Sequence, residues 1–299
     1  MRLKTKEVQN LERRLEKTGP EWTEKVSQSN NNFQRAYDSL QEIDNLLIKY
    51  RALLGESDFT AENVNLINSA VSLVFEEEGL TLRPDAKLYP IHPLETSYSL
   101  LSELDCKNSD LVISALLHDT MEDVDEYRKH PEKIGRIYGK VVRTIVEGMT
   151  TKSLSGKVRA SYELQIRERL GLDKNAMALV MDNIDYYVGV RQELMQNSLV
   201  RITKSYDFAD NALKLSNLDS NPKTQQRLAN KYLYLIDDFI EGFEEIAKKT
   251  DQFDISREGI IKIKKRYIQA RPEVKKYAQQ WKYYGTQFSA MKMLKIIRS

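Results

Sequence analysis

An all-α fold is what the sequence predicts, and three observations carry the expectation. Apolar residues recur at intervals of three and four through most of the 299 residues. No segment reads convincingly as a strand, apart from a short candidate pair near residues 81 to 89. Twelve Gly and seven Pro are also few for a fold built on many tight turns. Residues 5 to 17 and 21 to 54 read as the first two helices, the second polar but striped by Leu40, Ile43, Leu46, Leu47, Tyr50 and Leu54, with Gly55 to end it. Residues 60 to 78 form the next. Thr60 is placed to cap it, Glu62 and Asn63 fill its first turn, Val64, Ile67, Val71, Val74 and Phe75 give the stripe, and Gly79 closes it.

A loop over residues 80 to 93 then holds Arg83, Lys87 and His92, and Pro93 biases His92 toward extended backbone at a helix entrance. Residues 94 to 104 form a helix. Residues 111 to 117 are apolar nearly all round, the mark of a helix at the centre of a bundle, and this run delivers His118-Asp119 at its C-terminal end. Further helices are expected over 132–138, 140–149, 158–170, 174–195, 199–215, 225–249 and 272–297. The result is a helical bundle built around residues 60 to 245, with helical extensions at both ends.

Composition narrows the class. At 41% hydrophobic and 30% charged the chain is globular rather than disordered, and 46 Lys+Arg nearly balance 44 Asp+Glu. Cys106 is the one cysteine, so no internal disulfide is possible, and its expected fate is burial as a small hydrophobe. The first residues are polar and lack the form of a secretory signal, and no run of about 18 apolar residues exists. A cytoplasmic protein with no membrane partner is expected. Residues 251 to 299 carry twelve Lys+Arg against four Asp+Glu, a net of +8 that leaves −6 for the remainder. There Lys262, Lys264, Lys265, Arg266, Lys275, Lys276 and Lys282 interleave with Tyr267, Tyr277, Trp281, Tyr283 and Tyr284. Single-stranded nucleic acid could use that pattern, but the favoured reading is an amphipathic pair of helices whose aromatics pack inward. The long polar helix at 21–54 could pair with a second copy, making a homo-oligomer possible.

Of three histidines, His130 lies in a polar turn, while His92 and His118 occupy places that a core would not choose. If the helix continued, spacing of four would set His118 beside Glu122 and Asp119 beside Asp123, crowding three carboxylates at the end of an apolar helix. Such anions repel and shift each other's pKa values unless a cation neutralises them. A divalent metal does that, and mixed imidazole and carboxylate donors suit Mn, Fe or Zn.

The surrounding text resembles a known family. Arg83, Tyr89, Ile91-His92-Pro93-Leu94-Glu95, then Ala115-Leu116-Leu117-His118-Asp119, Glu122-Asp123, Tyr138-Gly139-Lys140-Val141-Val142 and Val146-Glu147-Gly148-Met149-Thr150 are similar in order and spacing to the hydrolase domain of RelA/SpoT-type alarmone enzymes. These belong to the HD phosphohydrolase superfamily. The resemblance implies an HD domain over residues 59 to 250, between an N-terminal extension at 1–58 and a basic C-terminal extension at 251–299. It implies a manganese ion held by His92, His118, Asp119 and a later Asp, with Glu122 and Asp123 as the catalytic pair that positions the attacking water. The family's Lys-x-x-Asp-x-x-x-Asn pattern falls on Lys204, Asp207 and Asn211, which favours Asp207 as fourth ligand over the rival Asp210. Arg83, Lys87 and Lys204 would clamp a pyrophosphate, and Asn211 would contact the ribose. The implied activity is removal of 3′-pyrophosphate from a guanosine tetraphosphate-like alarmone of the stringent response.

Two departures qualify the substrate. Pro84 follows Arg83 where the family carries Lys, and Asp207-Phe208-Ala209-Asp210-Asn211 stands where the family has Asp-Arg-Leu-His-Asn. Those positions touch base and sugar, so another nucleotide is the alternative substrate. Residues 226 to 299 show no strand-rich pattern, so no synthetase half is expected. A non-enzymatic nucleic-acid-binding regulator using the basic tail is the remaining alternative.

Overall fold

A computed structural model describes residues 4–25, 30–83, 87–150, 156–170, 174–212, 215, 222–279, 282–283 and 286–287. The architecture is all-α. The helices are α1 (Lys6–Lys25), α2 (Asn30–Glu56), α3 (Ala61–Glu77), α4 (Ile91–Leu104), α5 (Ser109–Leu116), α6 (Thr120–Asp123), α7 (Asp125–Lys129), α8 (Glu132–Tyr138), α9 (Lys140–Met149), α10 (Gly156–Leu170), α11 (Lys174–Gln196), α12 (Ser198–Ala212), α13 (Pro222–Ile246) and α14 (Arg257–Gln279). Extended structure among the described residues is slight. It consists of an isolated antiparallel bridge, Leu82 to Leu88, and a pair of two-residue strands, β1 (Lys282–Tyr283) and β2 (Thr286–Gln287).

The chain divides into two compact units, one of residues Met1–Glu147 with Phe253–Ser256, the other of Gly148–Gln252 with Arg257–Ser299. The first is organised on α5. Asn108 caps it by accepting from Asp110 N (3.0 Å) and Leu111 N (3.3 Å). Every residue from Leu111 to Leu117 is buried, as expected of a central helix. Each such Leu contributes about 2 kcal/mol by leaving water. Helices α3 and α4 pack on α5, and α2 packs on α4. The buried Tyr50 hydroxyl lies 2.8 Å from Ser97 Oγ, which donates in turn to Val112 O, so α2, α4 and α5 share one satisfied polar chain. Thr60 caps α3, accepting from Asn63 N at 3.2 Å. Cys106 is buried, and burial pushes its thiol up to about 12, which makes it inert.

The second unit packs α11, α12, α13 and α14 together. At its core Phe208, Tyr232, Phe239, Phe243 and Tyr267 make edge-on and stacked contacts with ring centroids 4.6 to 6.3 Å apart. Tyr267 of the basic tail is thus a core residue, while Lys262, Lys265, Lys275 and Lys276 stay exposed, in line with the amphipathic reading.

Several boundaries differ from expectation for a common reason. Helix α1 runs through Gly19-Pro20, and α14 begins at Arg257 and carries Pro272 inside it. A proline removes one intrahelical donor, yet packing over the remaining turns holds the helix together. The helix expected over 272–297 therefore starts earlier and is described as far as Gln279, Lys282–Tyr283 pairs with Thr286–Gln287 as strands, and residues 280–281, 284–285 and 288–297 lie outside the described residues. Residues 213–214 and 216–221, within or beside the expected helix 199–215, lie outside the described residues.

Gly79 sits where the chain leaves α3. A Cβ there would come 2.2 Å from Phe75 O and 2.9 Å from Leu11 Cδ1, the first of them fixed backbone. Gly79→Ala is therefore expected to lower stability by about 1–3 kcal/mol through forced repacking, read as a lower melting temperature by circular dichroism. An unchanged melting temperature would show that α1 does not seat on this residue.

Candidate metal centre

The centre is assembled from the end of α5, the turn that follows it, and the start of α4. Helix α5 stops at Leu116, so the continuous helix that would have paired His118 with Glu122 does not form. Leu117 N still bonds Ile113 O, and Thr120 N bonds Leu117 O at 3.0 Å, which turns the chain sharply. Asp119 then opens α6: its backbone carbonyl accepts from Glu122 N (2.8 Å) and Asp123 N (2.9 Å), and its side chain makes no capping bond. That carboxylate is left for other partners.

His92 lies in the first turn of α4, with its N–H bonded to Tyr89 O at 3.0 Å, rather than in extended backbone. Pro93 is accommodated because N–H groups in a first turn have no intrahelical acceptor to lose. Helix α4 thereby brings His92, 4% exposed, against His118, 1% exposed. The two Nε2 atoms are 3.1 Å apart. His118 Nε2 lies 3.0 Å and His92 Nε2 3.9 Å from Asp119 Oδ2.

Three donor atoms thus fall within 4.8 Å of one another. Ligands at about 2.1 Å from a shared ion lie about 3.0 to 3.4 Å apart, so the triad's spacing suits one ion. The chemistry of the donors agrees. His118 Nδ1 is 2.9 Å from Ala115 O, and donating its proton to that carbonyl leaves the Nε2 lone pair facing the other two donors. His92, His118 and Asp119 are therefore a group able to hold a divalent metal.

Two residues that the sequence did not single out for a role surround this group. Tyr89 Oη donates a short hydrogen bond to Asp119 Oδ2, and burial followed by the Asp119 charge raises its phenol well above the usual range. A small hairpin positions it: Tyr89 N bonds Thr81 O (2.8 Å), Arg83 N bonds Lys87 O (2.9 Å), and Leu88 N bonds Ser39 Oγ (3.1 Å). Glu78, 3% exposed, accepts from Thr120 Oγ1 at 3.1 Å. Burial first, then the charges of Asp119 and Asp123, push its carboxyl up to about 8. A sequence signal existed: Ile67, Val71, Val74 and Glu78 share one helical face, so only the last of the Glu76-Glu77-Glu78 run points inward.

The other expected residues divide between the two units. Glu122, half-buried, and Asp123, exposed, lie on the turn after Asp119; partial desolvation, then Asp119 and Glu122, raise the Asp123 carboxyl. Arg83 lies in the hairpin beside Tyr89, and Lys87 directs its ammonium to Glu42 at 2.5 Å on the exposed side. In the second unit Lys204, Asp207 and Asn211 form their own cluster along α12. Lys204 Nζ lies 2.7 Å from Asp207 Oδ2, both side chains being buried, and Asn211 Nδ2 donates to Asp207 Oδ1 at 2.8 Å. The Asp210 side chain lies outside the described residues. His130 is exposed, 3.5 Å from Glu132.

No family model matches the chain. It is 35% identical over 103 residues to a chloroplastic protein of Oryza sativa subsp. japonica named as a GTP diphosphokinase, RSH1. That match covers 34% of this chain and 11% of the rice protein. An Arabidopsis thaliana protein of the same name is 31% identical over 121 residues, 40% of this chain and 13% of that one. These matches support a RelA/SpoT relationship. The chain spans about an eighth of the length of these curated relatives. Among the described residues no helix is long and apolar enough to cross a membrane.

Two outcomes follow from the geometry. With its folded value raised above that of the unfolded chain, Glu78 binds more protons folded than unfolded between about pH 4.5 and 8, so in EDTA it makes stability fall as pH rises through that window. Glu78→Gln is expected to flatten that slope in denaturation curves taken at pH 5 and pH 8; an unchanged slope would show that this carboxyl titrates normally. His118→Ala is expected to lose bound Mn2+ in equilibrium dialysis by at least about tenfold, and retention would place the ion elsewhere.

Proposed function

We propose that the chain is a metal-dependent phosphohydrolase that releases pyrophosphate from the 3′ position of a guanosine 3′,5′-bis(diphosphate)-like alarmone, in the cytoplasm, through a hydrolase domain over residues 59 to 250. The observation that carries the reading is the meeting of His92 Nε2, His118 Nε2 and Asp119 Oδ2 at the end of a buried helix, one turn ahead of Glu122 and Asp123. Relatives named for guanosine-nucleotide chemistry support the substrate class. Mn2+ is the proposed ion, with Asp207 as fourth ligand.

Such an ion, when bound, supplies Lewis acidity toward a water and a phosphate oxygen. The chain's own residues do the rest. Glu122 accepts the proton of the attacking water, and Asp123 fixes that water's orientation. Tyr89 holds the Asp119 carboxylate through its donated hydrogen bond. Arg83, Lys87 and Lys204 offset the charge of the pyrophosphate, and Asn211 meets the ribose.

A second reading, hydrolysis of a different nucleotide, is favoured by Phe208. Its ring is 1% exposed and packed against Tyr232 and Tyr267, so it offers a base or sugar no polar group.

Incubation of the pure chain with Mn2+ and guanosine 3′,5′-bis(diphosphate) is expected to liberate pyrophosphate, and Glu122→Gln to lower kcat by about a hundredfold or more. Asp207→Ala is expected to lower metal content where Asp210→Ala does not. Release only from another nucleotide would replace the substrate and keep the reaction class. No release from any nucleotide, with binding of nucleic acid that is lost when the exposed Lys262, Lys265, Lys275 and Lys276 are all changed to Gln, would replace enzyme by regulator.

A further inference from the structure

Glu78 is a buried acid that the reaction proposed above does not use. It follows the last turn of α3 and turns its carboxyl toward the segment between α5 and α6, away from solvent. A carboxyl is a costly choice there. A leucine in the same register with Val71 and Val74 would be buried at less expense. The acid nevertheless stands where two hydrogen-bonded paths meet, and both lead to Asp119.

The first path runs through the side chain. Glu78 Oε1 accepts from Thr120 Oγ1 at 3.1 Å, and Thr120 is buried and adjoins Asp119. The second runs through the backbone. Glu78 O accepts from Thr81 N (2.9 Å), Thr81 O accepts from Tyr89 N (2.8 Å), and Tyr89 Oη donates to Asp119 Oδ2. Tyr89 O also accepts from His92 N at 3.0 Å, so the same path sets the start of α4. From Glu78 through Thr81, Tyr89, Asp119 and Thr120 the circuit closes on itself, and Glu78 N, bonded to Val74 O at 3.0 Å, anchors it to α3. The Asp119 side chain makes no capping bond of its own, so neighbours of this kind must set its direction. Thr120 N bonds Leu117 O and Thr120 O accepts from Val124 N, both at 3.0 Å, which leaves the hydroxyl to tie the turn sideways to α3.

We propose that Glu78 is a positioning residue of the metal centre: acting through Thr120, it holds the turn after α5 so that Asp119 Oδ2 faces the Nε2 atoms of His92 and His118. The inference rests on the reading of those three residues as a metal centre. Glu78 itself touches neither ion nor substrate. Its effect is on selectivity as well as affinity. With Asp119 in place the first unit offers one carboxylate oxygen and two imidazole nitrogens, a mixture that accepts Mn2+. With Asp119 swung away two imidazoles remain, and these suit Zn2+ better than Mn2+. A displaced turn therefore weakens Mn2+ more than Zn2+, whereas a general loosening of the helices would weaken both alike.

The test is equilibrium dialysis of the full-length chain against Mn2+ and, separately, Zn2+, with His118→Ala as the blank for ions bound elsewhere and melting temperatures in EDTA to show that each variant folds. Thr120→Val keeps the shape and loses the hydroxyl, and Glu78→Leu loses the acceptor. Each is expected to lower Mn2+ affinity about tenfold or more, and Zn2+ affinity by less. Combining the two should add little, because both break the same bond. Thr120→Ser and Glu78→Gln can remake that bond and should retain Mn2+ affinity. The inference alone is overturned by undiminished Mn2+ affinity in Thr120→Val and Glu78→Leu, by an equal loss for both metals, or by a loss in Glu78→Gln as large as in Glu78→Leu, which would make charge rather than the hydrogen bond the cause. No Mn2+ on the unaltered chain would instead overturn the metal-centre reading, and the inference with it.

Discussion

The first unit depends on one arrangement: two imidazoles and a carboxylate gathered at the dry end of a helix that is apolar on every side. Burying such groups without partners is costly, and the fold meets the cost by turning them on one another and on backbone. Ala115 O takes the far side of His118, Tyr89 takes one oxygen of Asp119, and His92 closes the group from α4. The sharp stop of α5 after Leu116 is what makes this possible. A further helical turn would have aimed His118 and Asp119 in directions about 100° apart.

Much of this was legible in the text of the chain. The run from Leu111 to Leu117 states a central helix because no face of it is polar, and the dipeptide that follows must then lie at a buried end. Thr60 as a cap and the limits of α8 and α9 were readable because cap chemistry and glycine act locally. The errors came where long-range packing overrides local preference. Pro20 and Pro272 sit inside helices, and His92 is helical despite the proline after it. Glu78 was not singled out, although its register with Val71 and Val74 marks it as inward.

The second unit follows a different logic. Its α12 buries Lys204 against Asp207 and sets Phe208, one turn after Lys204, in an aromatic cluster, so one short helix carries both polar chemistry and core. A buried pair of this kind adds little net stability but defines one arrangement sharply, since losing either partner strands the other's charge. The resemblance indicated Lys204, Asp207 and Asn211, and their spacing of three and four along α12 is what lets them bond to one another.

The contact of Leu11 with Gly79 has a bearing on how the N-terminal region takes part in folding. Helix α1 is mortised into the end of α3, with Arg14 clasping that helix's last carbonyls only two and three residues before Glu78. Any loosening of α1 would wet that end and relax the grip on the Glu78 and Thr120 pair behind Asp119. Amide protons at the close of α3 should accordingly exchange with solvent in step with those of α1, as parts of one cooperative block.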